Sequence, residues 1–297
     1  MPGRFAQVGS YIFGELSDRG QAYLDMTSDQ MASENIGHGQ ILKWEGGKFG
    51  LLGRVGYHVK ALLPMDPQNL LVVGEWGQVD VFGPGGQTNH QIVTEKGPAK
   101  DRGPLRRGAL IDRIPIVVGM DRQVYRWKGG GIWETLEQGM PSTAGTVAGF
   151  EAVGGFSNSE IYAAGWDGEL RHFNGKTWRG IDSPTSSIIV NLCCAGDGNV
   201  YCCGRTGLLL RGRDDRWEVM ELEGEPDDFW GIAWFKDRLY LSSMRAVYVL
   251  DGNALTPVEY GDETTSCYHL AASKDFLWSI GPKDVVSFDG KTWTRID

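Results

Sequence analysis

The stretch VNLCCAGDGNVYCCGRTGLLLRGRDDRWEVMEL, Val190 to Leu222, decides the fold. It alternates four strand-like runs with three turn signals: Gly-Asp-Gly-Asn, Gly-Arg-Thr-Gly and the polar Asp214-Asp215. Asp-Gly and Asn-Gly dipeptides between apolar runs mark hairpins, because these residues accept the positive φ angles of a tight turn. The preceding unit, GFEAVGGFSNSEIYAAGWDGELRHFNGKTWRGI (Gly149–Ile181), follows the same order. Working outward, HFNGKTW ending at Trp178 matches SFDGKTW ending at Trp293. Looser copies end at Phe49, Gln87, Trp133, Trp217 and Leu255. The seven anchors stand 38, 46, 45, 39, 38 and 38 residues apart.

Four short strands per unit of about 40–45 residues is the period of a propeller blade. A lone four-stranded meander leaves both faces wet, and packing blades side by side buries each face against its neighbour. The expectation is an all-β chain forming a single β-propeller domain over 1–297. About seven four-stranded blades fall near 4–55, 56–93, 106–140, 146–184, 187–223, 228–260 and 265–297, with the repeating Trp filling the gaps between them. The long polar segment 17–39 is expected to hold an insertion in the first blade. TEKGPAKDRGPLRR (Thr94–Arg107), basic and rich in Pro and Gly, reads as a mobile loop.

Composition agrees. The 297 residues include 43 Gly and 11 Trp, which suits many tight turns and aromatic-filled gaps better than long helices. Against 29 Lys+Arg stand 38 Asp+Glu, a net −9 that argues against general nucleic-acid binding. No apolar run has the length of a signal peptide or a membrane span. Of five Cys, four form two adjacent pairs, poor geometry for a secreted disulfide framework, so the cytoplasm is expected.

The repeat YAAGWDGELRHFNGKTW (Tyr162–Trp178) resembles the BNR/Asp-box and WD-repeat-like propellers of bacteria. The resemblance covers nearly the whole chain and implies architecture rather than activity. It departs from a strict Asp-box, since Asn174 and Asp289 directly precede the Gly, four residues before the Trp. That departure weakens the link to sialidases.

In a propeller the loops between second and third strands gather on one face. Here they carry Glu75, Trp76, Asp121, Arg122, Trp166, Asp167, Arg205, Met244, Arg245, Lys283 and Asp284. Trp, Met and Arg are enriched at protein interfaces, so this rim is the candidate partner-binding surface, unless each Trp folds back onto its own blade. The acidic segment ELEGEPDDFW adds Glu221, Glu223, Glu225, Asp227, Asp228 and Trp230, either steering a basic partner or serving as a solvated loop.

Catalytic signatures are missing from the sequence: there is no G-x-S-x-G, H-E-x-x-H or P-loop. A turn at Asp197-Gly198 would pair Cys193 with Cys202, and adjacent Cys point to opposite faces, so no metal and no cofactor is expected. An acidic propeller of this kind resembles immunity proteins. The resemblance implies a non-catalytic binder that neutralises a bacterial toxin by occluding its active site, the partner being a protein with a basic domain. Two alternatives stay open. One is a glycan-acting propeller, either binding sugars through loop Trp and the Asp beside Trp166 or sialidase-like through Arg122, Arg205 and Arg245; the other is an assembly scaffold.

Overall fold

The computed structural model describes residues 5–17, 20–142, 147–223, 227–260 and 266–297. Seven four-stranded antiparallel meanders follow one another along the chain, the blades of a β-propeller fold. Numbered in chain order, blades 1 to 7 run from Gly9–Leu16 to Lys48–Val55, Val59–Pro64 to Gly86–Gln91, Leu105–Ile111 to Ile132–Thr135, Phe150–Ser157 to Trp178–Gly180, Ile189–Cys194 to Arg216–Val219, Gly231–Phe235 to Ala254–Pro257 and His269–Ala272 to Trp293–Arg295. Each blade is one contiguous segment. Among the described residues no helix is long and apolar enough to cross a membrane.

Two compact units divide the chain. One holds blades 2 to 5 (Val59–Cys194 and Gly198–Met220); the other holds blades 6, 7 and 1 with Ala195–Asp197. Within each unit, consecutive blades sandwich an apolar layer. Ile116, Val118, Phe150, Ile161, Phe173 and Trp178 fill the layer between blades 3 and 4. Leu24, Leu42, Trp278 and Ile280 fill the one between blades 7 and 1. Second strands are covered on both faces, so Leu70–Gly74 and Val200–Gly204 are apolar throughout rather than alternating. Fourth strands such as Gly86–Gln91 face water and read polar.

The Asn/Asp-Gly-Lys-Thr turns act as local staples. Asn174 Oδ1 accepts from the amides of Lys176 and Thr177, at 3.1 and 3.0 Å. Asp289 Oδ1 does the same for Lys291 and Thr292. Aromatic residues after the third-to-fourth-strand turns reach the preceding blade: the Trp178 indole donates to Leu136 O at 2.7 Å, and that of Trp133 to His90 Nε2 at 3.1 Å.

A second repeated device is a β-bulge in the first strand of blades 1 to 5, which leaves Ile12, Lys60, Arg106, Glu151 and Val190 without a cross-strand partner. Blades 6 and 7 pair straight through.

The structure corrects two sequence expectations. The first hairpin of blade 5 turns through the five residues 195–199, not two, so Leu192 faces Cys202 and Cys193 faces Tyr201. The odd loop length shifts the register by one residue. The second correction concerns Thr94–Arg107, which is built rather than loose. Val93–Thr94 pairs with Gly97–Pro98, and the buried Ala99 opens a 3₁₀ turn.

Candidate partner-binding surface

The second-to-third-strand turns position the candidate residues, and glycine sets their shape. In blade 4 the turn Trp166–Gly168 places Asp167 at φ 54° and Gly168 at φ 68°. A Cβ on Gly168 would lie 2.0 Å from Thr185 O, so the left-handed tip and the neighbouring backbone both demand glycine. Blade 5 repeats the geometry with Thr206 at φ 54° and Gly207 at φ 71°.

In the unit of blades 2 to 5, the chain entering a blade runs beside these turns, those of the preceding blade in two cases and of the same blade in a third. The Leu105 amide donates to Glu75 O, that of Asp121 to Ala148 O, and that of Trp166 to Gly149 O. Glu75, Trp76, Asp121, Arg122, Trp166, Asp167 and Arg205 therefore all stand on second-to-third-strand turns of this unit. Their side chains do different things. Trp76 is 44% exposed, whereas Trp166 is half-buried because its indole donates to Glu151 Oε1 at 2.7 Å. Trp166 thus folds onto its own blade. Glu151 is the bulge residue of blade 4; the matching residue of blade 2 is Lys60, which pairs with Glu75 at 3.6 Å and offers an indole no acceptor.

Arg122 reaches from blade 3 to clasp Glu169 of blade 4, its Nε lying 2.6 and 2.8 Å from the two carboxylate oxygens. Arg171 shares that carboxylate. Arg102, in the segment expected to be a mobile loop, donates to Asp121 Oδ2 at 3.0 Å and to the buried Glu137 at 2.6 Å, while Lys96 takes the other Glu137 oxygen. Behind them, burial pushes the Tyr125 hydroxyl up to about 12. Asp167 and Arg205 remain exposed.

In the unit of blades 6, 7 and 1, Met244 is 62% exposed at its turn, and Arg245 beside it pairs with Asp227 at 3.6 Å. Trp230 leans its ring on Tyr268, 5.5 Å between centroids. Glu223 is exposed and Asp228 half-buried, and Glu225 lies outside the described residues. Lys283 clamps blade 1 instead of reaching outward, donating to Gly9 O at 2.8 Å and to Asp29 at 2.6 Å. Asp284, expected on the rim, is fully buried and accepts from Ser266 at 2.9 Å. One position separates a rim residue from a core residue there.

One group of potential metal ligands is Glu160, His172 and Asp214, whose donor atoms lie within 4.8 Å of one another. Arg213 already forks onto Glu160 at 2.8 and 2.9 Å, and Arg179 donates to His172 Nδ1 at 3.1 Å. Two guanidinium groups thus occupy the place of a cation. Lys60, Arg102, Arg106, Glu137, Glu151 and Glu169 escaped the sequence reading. Aligning the first strands (VKA, LRR, FEA, IVN) would have exposed the bulge position among them.

No protein-family model matches the chain. It is 40% identical over 303 residues to the curated "Immune protein Tsi7" of Pseudomonas aeruginosa, covering 99% of each protein. Among solved structures it resembles a catalytically inactive virginiamycin B lyase from Staphylococcus aureus with Quinupristin, with TM-score 0.73, 10% identity, and coverage of 97% of this chain and 96% of that one. It also resembles YCF48 bound to D1 peptide, with TM-score 0.69, 17% identity and 97% and 93% coverage. The WD40 β-propeller domain of Doa1 gives 0.66, 12%, and 97% and 92%. These structural likenesses establish the propeller fold, and fold alone assigns no activity.

Proposed function

Because the chain belongs to the family of the immune protein Tsi7, we propose that it is a toxin-immunity protein, a non-catalytic binder that neutralises a protein toxin by covering its active site. The observation that carries this reading is identity sustained over both full lengths, which spans loops as well as the strands that propeller architecture requires. In the unit of blades 2 to 5 the candidate binding surface is the set of second-to-third-strand turns bearing Trp76, Asp121, Arg122, Asp167 and Arg205; the unit of blades 6, 7 and 1 offers Met244 and Arg245 on such a turn, and Asp227, Asp228 and Trp230 on the segment that enters blade 6. Trp76 and Met244 are the strongest anchor candidates, since large exposed side chains bury most area on docking. The acidic total suits a toxin with a basic surface. Five free thiols suit work in the cytoplasm.

The test is protection. A toxin gene is expected beside this one, and cells expressing that toxin should survive only when the protein is co-expressed. Replacing both Trp76 and Met244 by Ala should weaken toxin binding by about 2 kcal/mol or more, the range of an interface hot spot, without altering thermal unfolding. Survival unchanged by the presence of the protein would end the immunity reading.

A further inference from the structure

In blades 2 to 7 the second and third strands are joined by three or four residues. In blade 1 the same connection takes the ten residues 29–38, including a short helix α1, Asp29–Ser33. No residue of α1 is buried, so the helix contributes nothing to the core.

It is nonetheless held in one shape. Lys283 of blade 7 and Ser10 of blade 1 both donate to Asp29, at 2.6 and 2.7 Å. The Ser28 amide donates to His38 Nε2 at 2.7 Å, which makes Nδ1 the protonated nitrogen that donates to Ile36 O at 2.7 Å. The Asp29 amide bonds Val8 O and the Ile36 amide bonds Met31 O, so α1 sits between Val8 and Ile36. Those two apolar side chains are 64% and 42% exposed. A surface element that is over-long, rigid and useless to the core is the kind that carries function.

Charge distinguishes this part of the molecule. The unit of blades 6, 7 and 1 contains 12 Lys+Arg against 21 Asp+Glu, a net of −9; the unit of blades 2 to 5 contains 17 of each. The whole net negative charge of the protein therefore belongs to the unit that bears α1.

We propose that the blade 1 insertion, 29–38 together with Val8, is a docking element for a basic protein surface, which on the immunity reading belongs to the toxin. An apolar spot on the partner covers Val8 and Ile36, Lys and Arg around it meet Glu34 and the unit's negative field, and the clamped shape spares the ordering cost of binding.

The toxin against which the protein protects in the survival test, at full length, is the probe. Hydrogen exchange on the wild-type complex should show amides 29–38 slowed relative to the free protein. Val8→Gln with Ile36→Gln should raise the Kd roughly 30-fold, as expected of hot-spot loss, with unfolding temperature unchanged. Glu34→Lys should slow association and flatten its salt dependence. A wild-type complex that forms without protecting 29–38, or a double variant binding as tightly as wild type, overturns the docking element and leaves immunity standing. A wild-type protein that neither binds the toxin nor protects against it takes both down.

Discussion

Two tryptophans that look alike in the repeat have different energetic weight. Trp178 is buried and its indole donates to the carbonyl of Leu136, whereas Trp217 is half-exposed and donates to Asp214 within its own turn. Trp178→Phe leaves a buried carbonyl without its donor and should cost about 1–3 kcal/mol; Trp217→Phe should cost well under ~1 kcal/mol. Urea denaturation of the two variants checks the contrast, and equal losses would refute it. The aromatic-after-turn pattern was legible in HFNGKTW and SFDGKTW because the side-chain staple of Asn174 or Asp289 is local. Whether a given indole finds an acceptor depends on a residue far away in the chain, such as Leu136. For the same reason Trp166 could not be distinguished from Trp76: the deciding neighbours are Glu151 and Lys60, which only folding brings alongside.

At the scale of the elements, strand order and turn positions were legible from the hairpin dipeptides, but register and loop rigidity were not. The Asp197-Gly198 signal marks its turn correctly, yet five residues rather than two make the connection, and every cysteine partner changes by one. Burial raises the Cys202 and Cys203 thiols well above their ordinary value. Both should stay unreactive toward a thiol reagent at about pH 8 until the protein is unfolded; rapid labelling of every thiol in the native state would contradict the packing of blade 5. The segment Thr94–Arg107 misled because flexibility was read from Pro, Gly and charge, while its anchor, Glu137, lies further along the chain. Glu137→Ala strands Arg102 in a half-buried position and should destabilise by about 3 kcal/mol, the range for breaking a buried ion pair. A loss of less than ~1 kcal/mol would mean that the segment is loosely held after all.

For the whole molecule, two histidines couple the fold to pH. His90 accepts from Trp133 and His172 stacks on Tyr162 beside Arg179. Burial lowers both pKa values, with the Arg179 charge adding to the effect at His172. A depressed histidine favours the folded state fully above the unfolded value of about 6.5, and that contribution drains away as pH falls below it. The urea midpoint should hold between about pH 7 and 8 and drop towards about pH 5, and His90→Asn with His172→Asn should flatten that drop. A wild-type profile that stays level throughout this range would refute the coupling. The net charge of the molecule was readable from composition, but its confinement to blades 6, 7 and 1 was not, because that unit is assembled from distant parts of the chain. The bulge residues Ile12, Lys60, Arg106, Glu151 and Val190 have a further consequence. Each can be rewritten without re-registering a strand, since no ladder partner depends on it. A lineage facing a changed adversary could revise its chemistry at these five letters while the scaffold kept its grammar, so relatives should diverge there sooner than at the residues on either side.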